Sequence, residues 1–379
     1  MARVVSMGKV LGFVTDLLRQ VMHLKRAKSI ANAVIGAMHA SRLSSSEIGK
    51  ALAIESGKSP KHGIKQVDRL LGNEKFDVRR VFEVLLPWII GIRRAIVVSL
   101  DWTEYASDGH SRIAINLVTR HGRATPLIWM TVETSTLEGR RNAYEDEILV
   151  LLSQLVPEWI KVTVLADRGF GDQKLYRLLQ QLGMDFIIRF RGVVTITCSP
   201  GEPGIAAEKL VPPKGKTREI LNALVTQDET WVGAVVLVKE RGMKEPWILA
   251  TSIQGQKKRV VKLYGRRFTC EENFRDEKNE RFGLAFKKTR VSTCERRDRF
   301  LVINTLATVL LTLLGAAGET LGLDRLLKSC TTTRRTHSLF WQGRCYLEGA
   351  LNKFYRPLRR KLWELVNGHC IATEVFAWI

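Results

Sequence analysis

Between residues 95 and 192, apolar and polar positions alternate in a pattern that predicts strands and helices in a fixed order. Runs rich in β-branched and aromatic residues come first, in AIVVSLDWTEY, RIAINLVTRHG and ATPLIWMTVE. A helical pattern follows in NAYEDEILVLLSQLVPEW, and strand, helix and strand patterns then alternate in KVTVLADRGF, DQKLYRLLQQLGM and DFIIRFRG. This order predicts an α/β fold whose mixed sheet begins with three antiparallel strands and continues through right-handed crossovers.

The first 92 residues have helical periodicity instead. Ser44, followed three residues later by Glu47, predicts a capping box at the start of one helix, and IKQVDRLLGN predicts another helix after a glycine-containing turn. The turn and the second helix carry four basic residues, Lys58, Lys61, Lys65 and Arg69. Such a pair can present a basic helix to the major groove of DNA, although many small helical pairs have no such role.

Residues 193–258 interrupt the α/β pattern. Four prolines between positions 200 and 213, and strand-like runs in TWVGAVVLVKERG and EPWILATSI, predict a β-rich insertion. Residues 259–318 return to helical patterns. Their apolar end, 300–318, is long enough to span a membrane, but Asn304 and three threonines within it favour a buried core helix.

The last region of the chain is strongly basic. Ten Lys and Arg residues lie between Arg325 and Lys361, with Glu348 as the one acid among them, which suits contacts with phosphates. The patterns together predict five regions: helical and DNA-binding at 1–92, the first part of the sheet domain at 93–192, the β-rich insertion at 193–258, the second part of the sheet domain at 259–318, and a basic helical region at 319–379.

Charge extends this picture to the whole protein. The 379 residues include 60 Lys and Arg against 38 Asp and Glu, a formal net charge of +22. Such an excess predicts a polyanionic partner, and nucleic acid is favoured over a membrane surface because the basic residues are spread along the chain. The six cysteines form no CxxC pair, which argues against a zinc module and a secreted disulfide framework and favours the cytoplasm.

Two aspartates lie in apolar strand-like runs, where an unpaired carboxylate is costly. They are Asp101 in VVSLDWTEY and Asp167 in TVLADRGF. Isolated aspartates at strand ends are mostly turn formers or caps. Two on separate strands of one sheet are a stronger signal, because neighbouring strands lie only about 5 Å apart.

A third carboxylate comes from the segment YGRRFTCEENFRDEK, residues 264–278. At about 100° per residue, an α-helix places Tyr264, Arg267, Glu271 and Lys278 on one narrow stripe, whereas Glu272 falls well outside it. An ordinary i,i+4 ion pair between Arg267 and Glu271 remains an alternative interpretation.

Two aspartates and a glutamate around hard cations are typical of a two-metal phosphoryl-transfer site. Mg²⁺ prefers oxygen ligands, and two ions can activate the attacking oxygen and stabilise the leaving oxygen. Asp101, Asp167 and Glu271 would be both catalytic residues and metal ligands. Tyr264, Arg267 and Lys278 would then bind DNA phosphates near the ions.

These residues resemble a known family of enzymes. The spacing Tyr264-x2-Arg267-x3-Glu271-x6-Lys278 is similar to the YREK signature of the insertion-sequence-four family of bacterial DDE transposases. DWT around Asp101 and ADRGF around Asp167 resemble the motifs of that family for its first and second aspartates. The resemblance in motif order and spacing extends over roughly residues 60–310.

The resemblance implies a ribonuclease-H-like sheet interrupted by the β-rich insertion before the helix that carries the glutamate. It also implies cut-and-paste transposition, in which the freed 3′-OH at the end of the element attacks, usually through a hairpin. By the same resemblance, Trp247 in WILAT would stack a base flipped out of the DNA. A core tryptophan at the start of a strand is the competing interpretation.

We therefore expect a DNA transposase that uses two Mg²⁺ ions, with Mn²⁺ as a substitute. Its partners would be the terminal inverted repeats and target DNA, bound by a homodimer on paired ends, without a membrane. The expected location is the bacterial cytoplasm, at the nucleoid. The alternatives are a catalytically inactive, transposase-derived DNA-binding protein and a ribonuclease-H-like nuclease or resolvase.

Overall fold

The computed structural model describes residues 6–198, 201–271, 286, 289–329, 331–349, 355–368 and 375. Within these residues, five helices precede the first strand: α1 Met7–Leu18, α2 Leu24–His39, α3 Ser45–Ser56, α4 Pro60–Leu71 and α5 Val78–Ile90. Ser44 caps α3 as predicted, because its hydroxyl accepts a hydrogen bond from the Glu47 amide at 3.1 Å. The reciprocal half of the capping box is wrong: the Ser44 amide donates to the Arg42 carbonyl, and Glu47 pairs with Lys50.

A large mixed sheet follows the helices. Its first strands are β1 Ala95–Tyr105, β2 His110–Leu117 and β3 Thr125–Glu133, which pair antiparallel in sequence order. Strand β4 (Lys161–Ala166) pairs parallel with β1, and β5 (Asp185–Arg189) pairs parallel with β4. The crossovers contain α6 (Arg141–Leu155) and α7 (Gln173–Gln181). The predicted mixed α/β sheet is therefore confirmed.

The segment predicted as a β-rich insertion extends this same sheet. Strands β8 (Lys216–Leu221), β11 (Ala234–Lys239) and β12 (Trp247–Thr251) continue it beyond β5, so eight strands of the described chain follow the order β3-β2-β1-β4-β5-β12-β11-β8. A smaller sheet has the order β10-β9-β6-β7. Its strands are β6 Thr195–Thr197, β7 Ile205–Ala206, β9 Leu224–Val225 and β10 Thr230–Trp231. The five predicted domain boundaries stay a prediction.

The second half of the helical shell is arranged around one long apolar helix. Its described helices include α8 (Lys257–Gly265), α9 (Cys294–Thr320), α10 (Leu339–Leu347) and α11 (Tyr355–Asn367). Helix α9 is long and apolar enough to cross a membrane, but 94% of its apolar window is buried inside the protein. It packs against α2, α10, α11 and β3, so the predicted core helix is confirmed.

Helices α3 and α4 approach each other at two glycines. A Cβ atom placed on Gly63 would lie 2.1 Å from the Gly49 carbonyl oxygen, and one on Gly49 would lie 2.4 Å from the Ile64 Cα. The obstacles are backbone atoms, which cannot rotate away as a side chain does. The two helices can therefore cross this closely only while both positions lack a side chain.

We expect Gly63→Ala to destabilise the protein by about 1–3 kcal/mol, because it overpacks this crossing. Gly12 in α1 is a matched control, since a Cβ added to this helical glycine would have no heavy atom of the described chain within 4 Å apart from its chain neighbours and the backbone of its own helix. Gly12→Ala should be neutral or stabilise by up to about 1 kcal/mol. Urea unfolding followed by circular dichroism would measure both, and equal effects of the two substitutions would contradict the crossing geometry.

Candidate active site

Strand pairing places Asp101 and Asp167 side by side. The last paired residues of the parallel strands β1 and β4 are Leu100 and Ala166, and the two aspartates follow them directly. Strand β4 ends at Ala166, whereas β1 continues as an antiparallel partner of β2. Both carboxylates therefore lie at the edge where the parallel pairing stops, on separate strands of one sheet as the sequence predicted.

The segment from 264 to 271 approaches this edge, but not as one continuous helix. Tyr264 lies in α8, a turn occupies residues 266 and 267, and residues 268–271 are helical again. The Arg267 amide donates to the Tyr264 carbonyl at 2.9 Å, a bond to the third preceding residue that tightens the backbone after Gly265. The prediction of an uninterrupted helix is therefore wrong at this point.

The guanidinium of Arg267 lies between all three carboxylates. It is 2.6 Å from Glu271, 3.6 Å from Asp101 and 3.9 Å from Asp167, measured from nitrogen to oxygen. The Tyr264 hydroxyl donates to Asp167 at 3.4 Å. The structure thus brings together five of the six residues predicted for catalysis and phosphate binding. The Arg267–Glu271 ion pair, which was the alternative interpretation of this segment, is present within the same cluster.

Burial sets the electrostatics of this cluster. The Arg267 side chain is only 5% exposed and Asp101 is 19% exposed, whereas Glu271 is half-exposed. Burial raises the pKa of Asp101 to about 6, against the opposing charge of Arg267, and the charges of Glu271 and Asp167 add to the rise. Burial works against the charge on Arg267, but Tyr264 and the carboxylates outweigh it and raise its pKa.

Comparison with protein families identifies the domain that carries most of this cluster. Residues 121–310 match the family described as the transposase DDE domain. The chain belongs to this family of transposases. The matched range covers half of the chain and includes Asp167, Arg267 and Glu271. A search of curated proteins gave no match.

Lys278 and Trp247 are the two further site residues that the sequence predicted for the transposase. Lys278 lies outside the described residues, as does Glu272. Trp247, the first residue of β12, is partly buried. Its ring packs edge-on against Tyr264 with centroids 5.0 Å apart and lies 6.1 Å from the ring of Phe268. The tryptophan is therefore beside the candidate site and also part of its packing.

A hydrogen-bonded layer behind Asp101 was missed by sequence reasoning. The Trp102 amide donates to the Asp101 carboxylate at 2.9 Å, and the Trp102 indole donates to Glu145 at 2.8 Å. Glu145 is 4% exposed and its pKa is raised by burial. The sequence feature that could have revealed it is a charged residue on the apolar face of a helix. Glu145 lies three, four and seven residues before Ile148, Leu149 and Leu152, which are buried on the same face of α6.

A second group of ligand-type side chains lies elsewhere on the transposase. One donor atom each from His110, Glu133 and Cys294 lies within 4.8 Å of the other two. However, the Arg297 Nε–H donates to His110 Nδ1 at 3.0 Å, so a neutral His110 carries its proton on Nε2, which faces Glu133 at 3.3 Å. Metal binding would need that nitrogen free. Hydrogen bonding explains this group better than a metal.

A basic cleft between α2 and α4 is the other candidate functional surface. Its volume is about 660 Å³. It is lined by His23, Lys25, Arg26, Ser29, His62, Lys65, Gln66, Arg69, Leu70 and Asn73. Four of these are Lys or Arg and none is acidic, so the cleft attracts anions. Lys65 and Arg69 belong to the helix pair whose basic residues were compatible with DNA binding in the sequence, whereas the contribution from α2 was not foreseen.

We expect Arg267→Met to reduce stability in a pH-dependent way when measured with EDTA. Asp101 has a pKa of about 6, above its ordinary 3.8, so its ionisation weakens folding as the pH rises through that interval. Without Arg267 the three charges repel each other uncompensated, and we expect a loss of about 3–5 kcal/mol at about pH 8 and less at about pH 5.

Urea unfolding at the two pH values would measure this difference. Arg267→Lys is the control, because it keeps the positive charge and should recover part of the loss at the higher pH. A loss for Arg267→Met that is the same at both pH values would show that packing, rather than charge, explains the role of Arg267.

Proposed function

We propose that the transposase cuts DNA at the ends of its own element and joins those ends to target DNA, with Asp101, Asp167 and Glu271 as the catalytic carboxylates. The observation that supports this best is their convergence on one buried guanidinium at the end of the parallel strand pair. A protein that only bound DNA would gain nothing from three carboxylates where phosphates approach, since like charges repel.

The donor set fits the metal that this chemistry needs. Transposases of this family depend on metal ions, and three carboxylates that surround one positive charge supply the hard oxygen ligands that Mg²⁺ prefers. We propose two Mg²⁺ ions held by Asp101, Asp167 and Glu271, with Mn²⁺ as a substitute. When bound, the ions would supply activation of the attacking oxygen and stabilisation of the leaving oxygen.

The chain's own residues would position the DNA backbone. Arg267 presents a planar set of donors that suits bidentate contacts with a phosphate, and its raised pKa keeps it charged. Burial raises the pKa of Tyr264, so its hydroxyl stays protonated and can donate to a phosphate oxygen. Lys278 has the same proposed role from the family resemblance.

The finer assignment is to the YREK group of the insertion-sequence-four family, with a ribonuclease-H-like sheet and cut-and-paste transposition through a hairpin. The spacing of Tyr264, Arg267 and Glu271 and their meeting at one site support it. Trp247 is proposed to stack a flipped base, and its place beside Tyr264 supports this role. Stacking would contribute about 1–3 kcal/mol per base.

The basic cleft is proposed to hold the end of the element. Lys61, Lys65 and Arg69 lie four residues apart on the exposed face of α4, and Lys25 and Arg26 of α2 border the same cleft. The close glycine crossing keeps α4 in a fixed position on α3. We further propose a homodimer on paired ends, and a cytoplasmic location at the nucleoid.

We expect Asp101→Asn and Glu271→Gln each to abolish nicking and joining of end-bearing DNA with Mg²⁺, with a loss of at least about a thousandfold, while DNA binding persists. Glu133→Gln is the matched control, because Glu133 belongs to the second group of ligand-type side chains. A gel assay of nicked, hairpin and joined products separates these outcomes. Full activity of Asp101→Asn, or loss of activity only in Glu133→Gln, would refute the assignment.

We expect the double substitution Lys65→Ala and Arg69→Ala to weaken binding of end DNA. The slope of log affinity against log salt concentration should also fall in magnitude by about 1 for each lost phosphate contact. Lys161→Ala is the control, because Lys161 is an exposed lysine at the opposite end of β4 from Asp167. Fluorescence anisotropy at several salt concentrations measures both quantities. An unchanged salt slope in the double variant would exclude the α4 face from the interface.

A further inference from the structure

The start of α9 has five consecutive charged residues, Glu295–Arg299, and the last four of them bond to other elements of the protein. These four are Arg296, Arg297, Asp298 and Arg299. At about 100° per residue, four consecutive helical side chains point in directions that span roughly 300°. All four can therefore be satisfied only where a helix is surrounded on several sides. A charge in such surroundings is costly unless it is paired, so each of these side chains requires a partner.

Two of the four bond to the end of α4. Arg296 pairs with the Asp68 carboxylate and also donates to the Asp68 carbonyl at 3.4 Å. Arg299 donates to the Leu71 carbonyl at 2.9 Å and to the Phe76 carbonyl at 3.1 Å. Carbonyls in the last turn of a helix attract positive charge, and the Leu71 carbonyl lies beyond the last intrahelical bond of α4. The two arginines therefore hold the last turn of α4 and the loop behind it.

The other two bond to the catalytic sheet. Arg297 is completely buried, pairs with Asp108 in the β1–β2 connection, and lies 4.0 Å from the ring centroid of Tyr105, the last residue of β1. Asp298 accepts hydrogen bonds from the Thr131 hydroxyl at 2.5 Å and from the Thr131 amide at 3.3 Å, both in β3. One helical turn thus connects the basic helix α4 to the strand that carries Asp101.

These bonds are directional, unlike the apolar packing of α2 on α9. Helix α2 packs on α9, and its buried residues include Ala27, Ala31 and Val34. Apolar contact of this kind favours association but does not fix one relative position, whereas hydrogen bonds weaken steeply with misalignment. Arg296 and Arg299 therefore add directional contacts between α4 and α9 to this apolar packing.

We propose that Arg296 and Arg299 are positioning residues that fix the distance between the DNA held on α4 and the carboxylates of the sheet, and so select which phosphodiester is cut. This inference rests on the proposed function, because it takes α4 as the DNA-holding helix and Asp101 as catalytic. It adds that the site of cleavage is determined by two residues, Arg296 and Arg299, that contact neither the DNA nor the metal ligands.

Cleavage mapping at single-nucleotide resolution would test the proposal. In Arg299→Met, which removes both carbonyl bonds, we expect nicks to spread over neighbouring phosphodiesters and the rate at the original position to fall by roughly ten- to a hundredfold. DNA affinity should stay within about twofold of wild type, since no phosphate contact is removed. Arg296→Met loses mainly a surface ion pair, so it provides the test if Arg299→Met does not fold.

Arg79→Met is the matched control. Arg79 in α5 pairs with Glu147 in α6, so it also joins an N-terminal helix to the core, but through an ion pair that involves neither α4 nor α9. We expect this variant to cut at the wild-type position. If both α9 variants cut at that position with the rate of Arg79→Met, the proposal is wrong.

Native-state hydrogen exchange gives a result that does not depend on cleavage. If the wild-type protein made no cuts, the proposed function would fail, but the link between α4 and the sheet could still be judged. Amides of α4 should exchange faster in the Arg299→Met and Arg296→Met proteins than in the Arg79→Met protein. Equal exchange of α4 in all three would overturn the proposal even for an active transposase.

Discussion

The candidate site depends on one buried guanidinium. Arg267 is almost fully covered by protein, and a charge in that position is tolerable only while Asp101, Asp167 and Glu271 surround it. The carboxylates depend on the arginine in the same way, because burial already raises the pKa of Asp101 to about 6. The arginine and the three carboxylates thus compensate each other's charges, and the geometry of the site follows from the need to keep these four side chains close together.

The fold provides this closeness through elements that are each determined by separate contacts. Parallel pairing of β1 and β4 aligns the two aspartates, and the tight turn after Gly265 directs Arg267 and Glu271 toward them. The Trp102–Glu145 hydrogen bond braces the residue next to Asp101 from the side of α6. Packing of the described chain on the apolar helix α9 keeps sheet and helices in one body.

Sequence patterns predicted the parts of this arrangement that repeat along the chain. The strand and helix order from 95 to 192 is periodic, and the aspartates stood out because they interrupt apolar runs. The interruption of the helix at 266 and 267 was missed because a single glycine changes a helical sequence pattern only weakly. The interruption is visible only in the backbone hydrogen bond from Arg267 to Tyr264.

Long-range pairing was harder to predict. The sheet order that joins β12 to β5 depends on hydrogen bonds between residues about sixty positions apart, and nothing local encodes them. The contribution of α2 to the basic cleft was missed for the same reason. Glu145 could have been found, because a carboxylate on an apolar helical stripe requires a partner, but its partner Trp102 could not be identified from spacing alone.

The continuity of the eight-stranded sheet has a mechanical consequence. Strand β12 is hydrogen-bonded to β5, and β5 to β4, so Trp247 at one end of β12 and Asp167 just after β4 belong to a single stiff unit. A sheet resists sliding of one strand past another, because a shift of one residue would turn every side chain to the opposite face. Any distortion that the reaction requires between these two positions would therefore fall on the nucleic acid rather than on the sheet.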